Sequence, residues 1–107
     1  MSKLAKKKAT DCDGEVLQGK KLKQFQSELG PSWKVLRGKQ LQKELKFKDF
    51  REALAYTNRV GEIAESLGHH PDIFLAWGKV KLTIWTHSKG GLTVNDFGLA
   101  VKVDEIH

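Results

Sequence analysis

The chain predicts an α+β fold: a four-stranded antiparallel sheet with helices packed on one face, in the order α-β-β-α-β-β-α. Three observations lead there. Phe50, Ala53, Leu54, Thr57, Val60, Ala64 and Leu67 trace one helical face between a capping Asp49 and a terminating Gly68. Residues 73–77 and 80–87 are rich in β-branched and aromatic side chains and flank Gly78-Lys79, the pattern of a hairpin with glycine first in a two-residue turn. Shorter segments of helix and strand character lie on either side, with no internal repeat.

Residues 1–15 are polar, lysine-rich and aperiodic, and are expected to form a flexible arm ahead of a single domain over 16–107. In residues 17–29, Leu22, Phe25 and Leu29 recur at helical spacing, and Gly30-Pro31 supplies the stop. Residues 33–37 and 41–47 read as two short strands joined at Gly38-Lys39, with Leu41, Leu45 and Phe47 set against polar neighbours. Asp49 followed three residues later by Glu52 has the spacing of a capping box and opens the clearest helix. Gly68 suits the left-handed position after that helix, and Pro71 biases His70 to an extended backbone, so the helix cannot run through His69 and His70. Along the second hairpin strand, Val80, Leu82, Ile84 and Thr86 share one face and Lys81, Thr83, Trp85 and His87 the other. Gly90-Gly91 ends that strand. Thr93 and Asp96 then open a last helix carrying Val94, Phe97, Leu99, Ala100 and Val103.

Composition narrows the function classes. With 39% hydrophobic and 30% charged residues the chain has globular proportions, and it holds no apolar run near the roughly 20 residues of a membrane helix. The N-terminal lysines are not followed by an apolar stretch and cleavage pattern, so a soluble, cytoplasmic protein is expected and a membrane partner is not. The one cysteine, Cys12, has no internal partner for a disulfide or a thiolate metal site. The net charge of +6 is diluted between Lys3, Lys6, Lys7 and Lys8 of the arm and Lys20, Lys21 and Lys23 of the first helix. No aromatic residues interleave with them in the manner of an RNA-binding motif, so solvated surface is the expected role and nucleic acid is not the expected partner.

The chemistry concentrates at His69-His70-Pro71. Two adjacent imidazoles leaving a helix in a stiff turn suit acid/base work near neutral pH, where an unperturbed histidine has a pKa of about 6.5. The plainer role for one of them is to cap the orphan carbonyls of the helix end. Glu65 lies one turn before His69 and is placed to orient it or take its proton, or else is an ordinary exposed glutamate. Asp96 has a competing structural role as the reciprocal partner of Thr93 in a helix cap. Trp77, Trp85 and Phe74 serve sheet packing in the plain reading, and as walls would suit a flat heterocycle. Zinc is disfavoured because adjacent histidine side chains diverge, unlike an i, i+4 pair on a metallohydrolase helix.

These residues together form a spaced motif: Glu65, three residues, His69-His70-Pro71, five residues, Trp77, nine residues, His87, eight residues, Asp96. The motif, with Thr86-His87 and Gly91-Leu92-Thr93, resembles the pterin-4a-carbinolamine dehydratase family from about Phe47 onward. The resemblance implies elimination of water from a 4a-hydroxytetrahydropterin to give quinonoid dihydropterin, which recycles tetrahydrobiopterin after aromatic amino-acid hydroxylation without a metal or organic cofactor. It implies catalytic roles for His69, His70 and His87, and substrate binding by Glu65, Gly68, Pro71, Trp77, Thr86, Ser88 and Asp96. It further implies a homo-dimer or homo-tetramer, and some members act as a dimerisation cofactor of a homeodomain transcription factor. The competing expectation is a non-enzymatic binding module or transcriptional coactivator working through an oligomer surface or the basic arm. Gly68 departs from the acidic or polar residue many members carry before the histidines.

Overall fold

Strict alternation along one strand organises the domain. In the computed structural model, which describes residues 15–106, β4 (Lys79–Ile84) places Val80, Leu82 and Ile84 on one face with no solvent exposure. Side chains two residues apart share a face of a strand, so this row defines the core side of the sheet. The other strands are β1 (Lys34–Leu36), β2 (Gln40–Lys46) and β3 (Asp72–Ala76), in the spatial order β1-β2-β4-β3 with every neighbour antiparallel. The register sets Leu41 opposite Ile84, Leu45 opposite Val80 and Ile73 opposite Leu82, which extends the apolar face across the sheet. The opposite face carries Lys79, Lys81 and Phe74, and the two ammonium groups sit 5.6 and 5.8 Å from the Phe74 ring centroid.

Helices α1 (Gly19–Leu29), α2 (Phe50–Leu67) and α3 (Val94–Asp104) complete the expected order α-β-β-α-β-β-α. Asp49 caps α2 by accepting the Glu52 N–H at 2.9 Å, while the Glu52 carboxylate reaches the Lys48 N–H instead of closing the box on Asp49. The core stripe of α2 is Ala53, Tyr56, Val60 and Ala64; Phe50 and Leu54, expected on that face, remain 44% and 40% exposed. Of the three helices, α3 is the most enclosed, and Phe25 of α1 packs on Phe97 with ring centroids 5.4 Å apart. Its far end is also held. Asp104 accepts the indole N–H of buried Trp33 at 3.0 Å and the Lys43 ammonium at 2.7 Å, so an inward-facing lysine of β2 is paired.

Boundary expectations shift for local reasons. Leu17 is buried but extended, its N–H bonded to the Leu92 carbonyl at 2.7 Å, so α1 starts at Gly19 rather than at 17. Trp33 stands outside β1, and Arg37 (φ 54°) joins Gly38 (φ 67°) in the turn that was expected to begin at glycine. The hairpin turn is Trp77-Gly78, not Gly78-Lys79, since Ala76 pairs with Lys79. Gly78 lies against the backbone of Phe47: its carbonyl accepts the Phe47 N–H at 2.8 Å, and a Cβ there would meet the Phe47 oxygen at 2.9 Å. His87 is not in a strand. The chain folds back at the Thr86–Gly91 bridge, and His87–Lys89 form a single 3₁₀ turn closed by Gly90 at φ 66°. The lysine-rich arm and Cys12 lie outside the described residues apart from Glu15. Among the described residues no helix is long and apolar enough to cross a membrane.

Tyr56 is the only tyrosine in the chain, and burial, with a smaller contribution from the Asp104 charge, pushes its phenol up to about 12. A folded-state pKa above the unfolded value means this contribution to stability is complete below about pH 10 and is lost as pH rises towards 12. Phenolate absorbance should therefore titrate well above pH 10 in the folded protein and near 10 in denaturant. Against Tyr56→Phe, the wild type should lose at most about 3 kcal/mol over that window; parallel alkaline unfolding curves would refute the assignment.

Candidate active site

The site forms where three chain segments end together. At the exit of α2, Gly68 adopts the left-handed conformation (φ 68°, ψ 24°), its N–H reaching the Glu65 carbonyl and the His69 N–H the Ala64 carbonyl, each at 3.2 Å. This paired closure satisfies the last carbonyls of the helix and requires a residue that tolerates positive φ. Backbone capping is therefore done by Gly68 and His69, which leaves the His69 imidazole free to turn toward α3. Its Nε2 lies 2.6 Å from Asp96 Oδ1, with the His69 side chain 11% exposed and Asp96 fully buried.

Asp96 also holds the start of α3. Its Oδ2 accepts the Thr93 N–H at 2.8 Å and the Thr86 hydroxyl at 2.7 Å, while Thr93 Oγ1 accepts the Asn95 N–H at 3.2 Å. The expected reciprocal cap is present, and the same carboxylate receives the histidine. A buried carboxylate is tolerable when its lone pairs are filled by donors, as here.

The other two histidines sit differently. His70 Nε2 is 2.5 Å from Glu65 Oε1, on side chains 60% and 79% exposed. Glu65 thus partners His70 rather than His69. His87 is exposed in the 3₁₀ turn and lies over Trp85, with centroids 4.1 Å apart at 53°. Ser88 shares that exposed turn. Pro71 links His70 to β3, whose Asp72 pairs with Thr83, so the His69-His70 exit and the end of β4 lie at one end of the hairpin. Trp77 is at the other end, 69% exposed and about 20 Å from Pro71 by the rise of an extended strand. A groove between α2 and β3, lined by Thr57, Gly61, Glu65, Ser66 and Ile73, reaches the site at Glu65. Among the described residues no three histidine, cysteine or acidic side chains converge as a metal site.

Residues 15–106 match the family described as "Pterin 4 alpha carbinolamine dehydratase". The chain belongs to the pterin-4-alpha-carbinolamine dehydratase family. A relative from Alkaliphilus metalliredigens (strain QYMF), provisionally named a pterin-4-alpha-carbinolamine dehydratase, is 47% identical over 98% of this chain and 96% of its own. Another from Rubrobacter xylanophilus, named in the same provisional way, is 44% identical over 99% of this chain and all of its own. The crystal structure of a transcriptional coactivator/pterin dehydratase from Brucella melitensis superimposes with a TM-score of 0.76 at 30% identity, covering 84% of this chain and 96% of that one. A pterin dehydratase-like RuBisCO assembly factor of the alpha-carboxysome shares the fold at 22% identity, with a TM-score of 0.59 over 71% of this chain and 89% of that one.

Within this dehydratase-family domain, two residues outside the expected set of site residues lie at the site, one of them, Trp85, read as a sheet-packing residue or a wall for a flat ring. Trp85 lies two residues before His87 on the strand that leads into the turn, and that spacing is the signal for the ring contact. Thr93 was legible as a cap, but its hydroxyl also lies 3.0 Å from Thr86 Oγ1, a contact across the Thr86–Gly91 bridge that helix spacing does not reveal. The two histidine–carboxylate pairs should differ sharply in their structural worth. Asp96→Ala removes a cap and strands buried donors, so urea unfolding should show a loss of about 2–4 kcal/mol. Glu65→Ala should cost less than about 1 kcal/mol, as for exposed ion pairs. Equal losses would contradict the assigned environments.

Proposed function

We propose that this protein is a 4a-hydroxytetrahydropterin dehydratase that eliminates water by histidine acid/base catalysis. The observation that carries the reading is the His69–Asp96 pair, a nearly buried imidazole held by a fully buried carboxylate. Exposed His70 and His87 lie at the same end of the hairpin. The family match over residues 15–106 and the provisional names of its relatives support the substrate class.

In the reaction, the bond between C4a and its hydroxyl oxygen breaks, an acid delivers a proton to that oxygen, and water leaves. A base removes the ring N–H, whose electron pair becomes the new carbon–nitrogen double bond of quinonoid dihydropterin. Imidazoles with different partners suit these two roles because their proton affinities can be set separately. His69, His70 and His87 are the proposed proton-transfer groups, with Pro71, Ser88 and Gly68 shaping the adjoining backbone and Glu65 orienting His70. No metal or organic cofactor takes part. The product is the form reduced again to tetrahydrobiopterin after aromatic amino-acid hydroxylation, in the cytoplasm.

A homo-dimer or homo-tetramer belongs to the same reading. Phe50 and Leu54 on α2 and Phe74 and Trp77 on the β3–β4 hairpin are large, exposed apolar side chains of the sort that self-association covers. They also suit an interaction role like the coactivator one named for the Brucella melitensis protein.

In a direct assay with a 4a-hydroxypterin, His70→Ala and His87→Ala should each lower kcat by roughly 100-fold or more, the usual contribution of a positioned acid or base. Their far-UV spectra and urea midpoints should stay near wild type, since both side chains are exposed. Unchanged turnover in both variants would sink the enzymatic reading. Light scattering should report a mass of two or four chains; a monomer would remove the oligomer from it.

A further inference from the structure

Thr86 immediately precedes His87 in the motif, which makes direct substrate contact the simplest role for it. The structure points elsewhere. Thr86 is 6% exposed, and its hydroxyl is engaged on both sides, 2.7 Å from Asp96 Oδ2 and 3.0 Å from Thr93 Oγ1.

The Thr93 hydroxyl also lies 3.5 Å from Asp96 Oδ2, but its contact with Thr86 Oγ1 is shorter, and the shorter contacts set the order of the hydrogens. The Asn95 backbone N–H must donate, and Thr93 Oγ1 accepts it at 3.2 Å. The Thr93 hydroxyl hydrogen then goes to Thr86 Oγ1 at 3.0 Å, and the Thr86 hydrogen to Asp96 Oδ2 at 2.7 Å. The Thr93 backbone N–H also donates to Oδ2, at 2.8 Å. With Oδ2 so occupied, Oδ1 is the oxygen left for His69 Nε2 at 2.6 Å. An ionised carboxylate only accepts, so the hydrogen of this last contact lies on Nε2, and in the neutral ring Nδ1 keeps its lone pair. Among the described residues Nδ1 has no hydrogen-bond partner.

We propose that Thr86 is a positioning residue that, through Asp96, fixes His69 in its Nε2–H form and leaves Nδ1 as the nitrogen that accepts a proton from substrate. The chain of donors starts at the N-terminal turn of α3 and ends on Asp96, which accepts from the ring on its other oxygen. Two hydrogen bonds to Oδ2 prevent the carboxylate from rotating, so the His69 ring is held in one tautomer before substrate arrives. The role as base rests on the dehydratase reading; the tautomer does not.

Two measurements separate these parts. Nitrogen-15 NMR of the ring in wild-type protein should show His69 with hydrogen on Nε2 and an unprotonated Nδ1 above its titration; a hydrogen on Nδ1 overturns the proposal whatever the protein catalyses. In the dehydratase assay, Thr86→Val, which keeps the shape and removes the hydroxyl, should lower kcat by roughly 10- to 100-fold with KM within about threefold, a typical cost for losing an orienting partner. Its His69 nitrogen signals should move toward mixed tautomers, while Thr86→Ser should restore both the rate, to within about threefold, and the signals. An unaffected Thr86→Val rate, or a loss that serine does not rescue, overturns the proposal. If the valine variant does not fold, serine is compared with alanine on the same two readouts. Absence of any turnover in wild type would count against the dehydratase reading alone, with the nitrogen signals still deciding the tautomer.

Discussion

Asp96 is a charge-bearing group with no solvent exposure, and the geometry around it follows from making that tolerable. An unpaired buried carboxylate would cost several kcal/mol, so each oxygen has to meet donors. Those donors come from three places: the first turn of α3, the end of β4 and the residue that leaves α2. Satisfying one side chain therefore pins a helix start, a strand end and a helix exit to a common point. The candidate site is the surface over that point.

The most enclosed helix is anchored by carboxylates at both ends. Asp96 at the N-terminus of α3 is favoured by the helix dipole, whereas Asp104 at the C-terminus is opposed by it. The Lys43 ammonium and the Trp33 indole offset that opposition and tie the last turn of α3 to the β1–β2 side of the sheet. Between these anchors, α3 buries Phe97, Leu99, Ala100 and Val103 against the sheet and the other two helices. A rigid α3 is what allows Asp96 to act as a fixed reference for His69.

The histidines occupy three distinct environments. His69 is enclosed and held by Asp96, His70 is exposed beside Glu65, and His87 rests on Trp85. Ordering long, exposed side chains costs rotamer entropy, so His70 and Glu65 retain freedom that His69 lacks. One imidazole is thus preorganised and two are adjustable, an arrangement suited to a reaction that needs proton transfer at two separate atoms of a ring.

Much of the fold was legible because periodicity and punctuation are local properties. The alternation of Val80, Leu82 and Ile84, the Asp49 and Thr93 caps and the Gly68 stop each depend on residues within one or two turns of each other, and each is present, although Glu52 turns to the Lys48 N–H instead of closing a box on Asp49. Local rules failed where a distant partner decided the outcome. Leu92 holds Leu17 out of α1, Phe47 sets the turn at Trp77-Gly78, and Gly91 draws Thr86 into a bridge that carries His87 out of the strand. The sequence alone determined the order of elements, the core face of the sheet and the placing of His69-His70 at a helix exit, because backbone preferences and burial patterns act between near neighbours. Tertiary structure decided that Asp96 pairs with His69, which leaves Glu65 to His70, and that the inward-facing Thr86 bonds to Asp96 and Thr93. The His69–Asp96 and Thr86–Asp96 contacts join different elements, and only the packing of α3 against the ends of β4 and α2 brings those donors and acceptors within reach, whereas Glu65 and His70 meet locally at one helix exit.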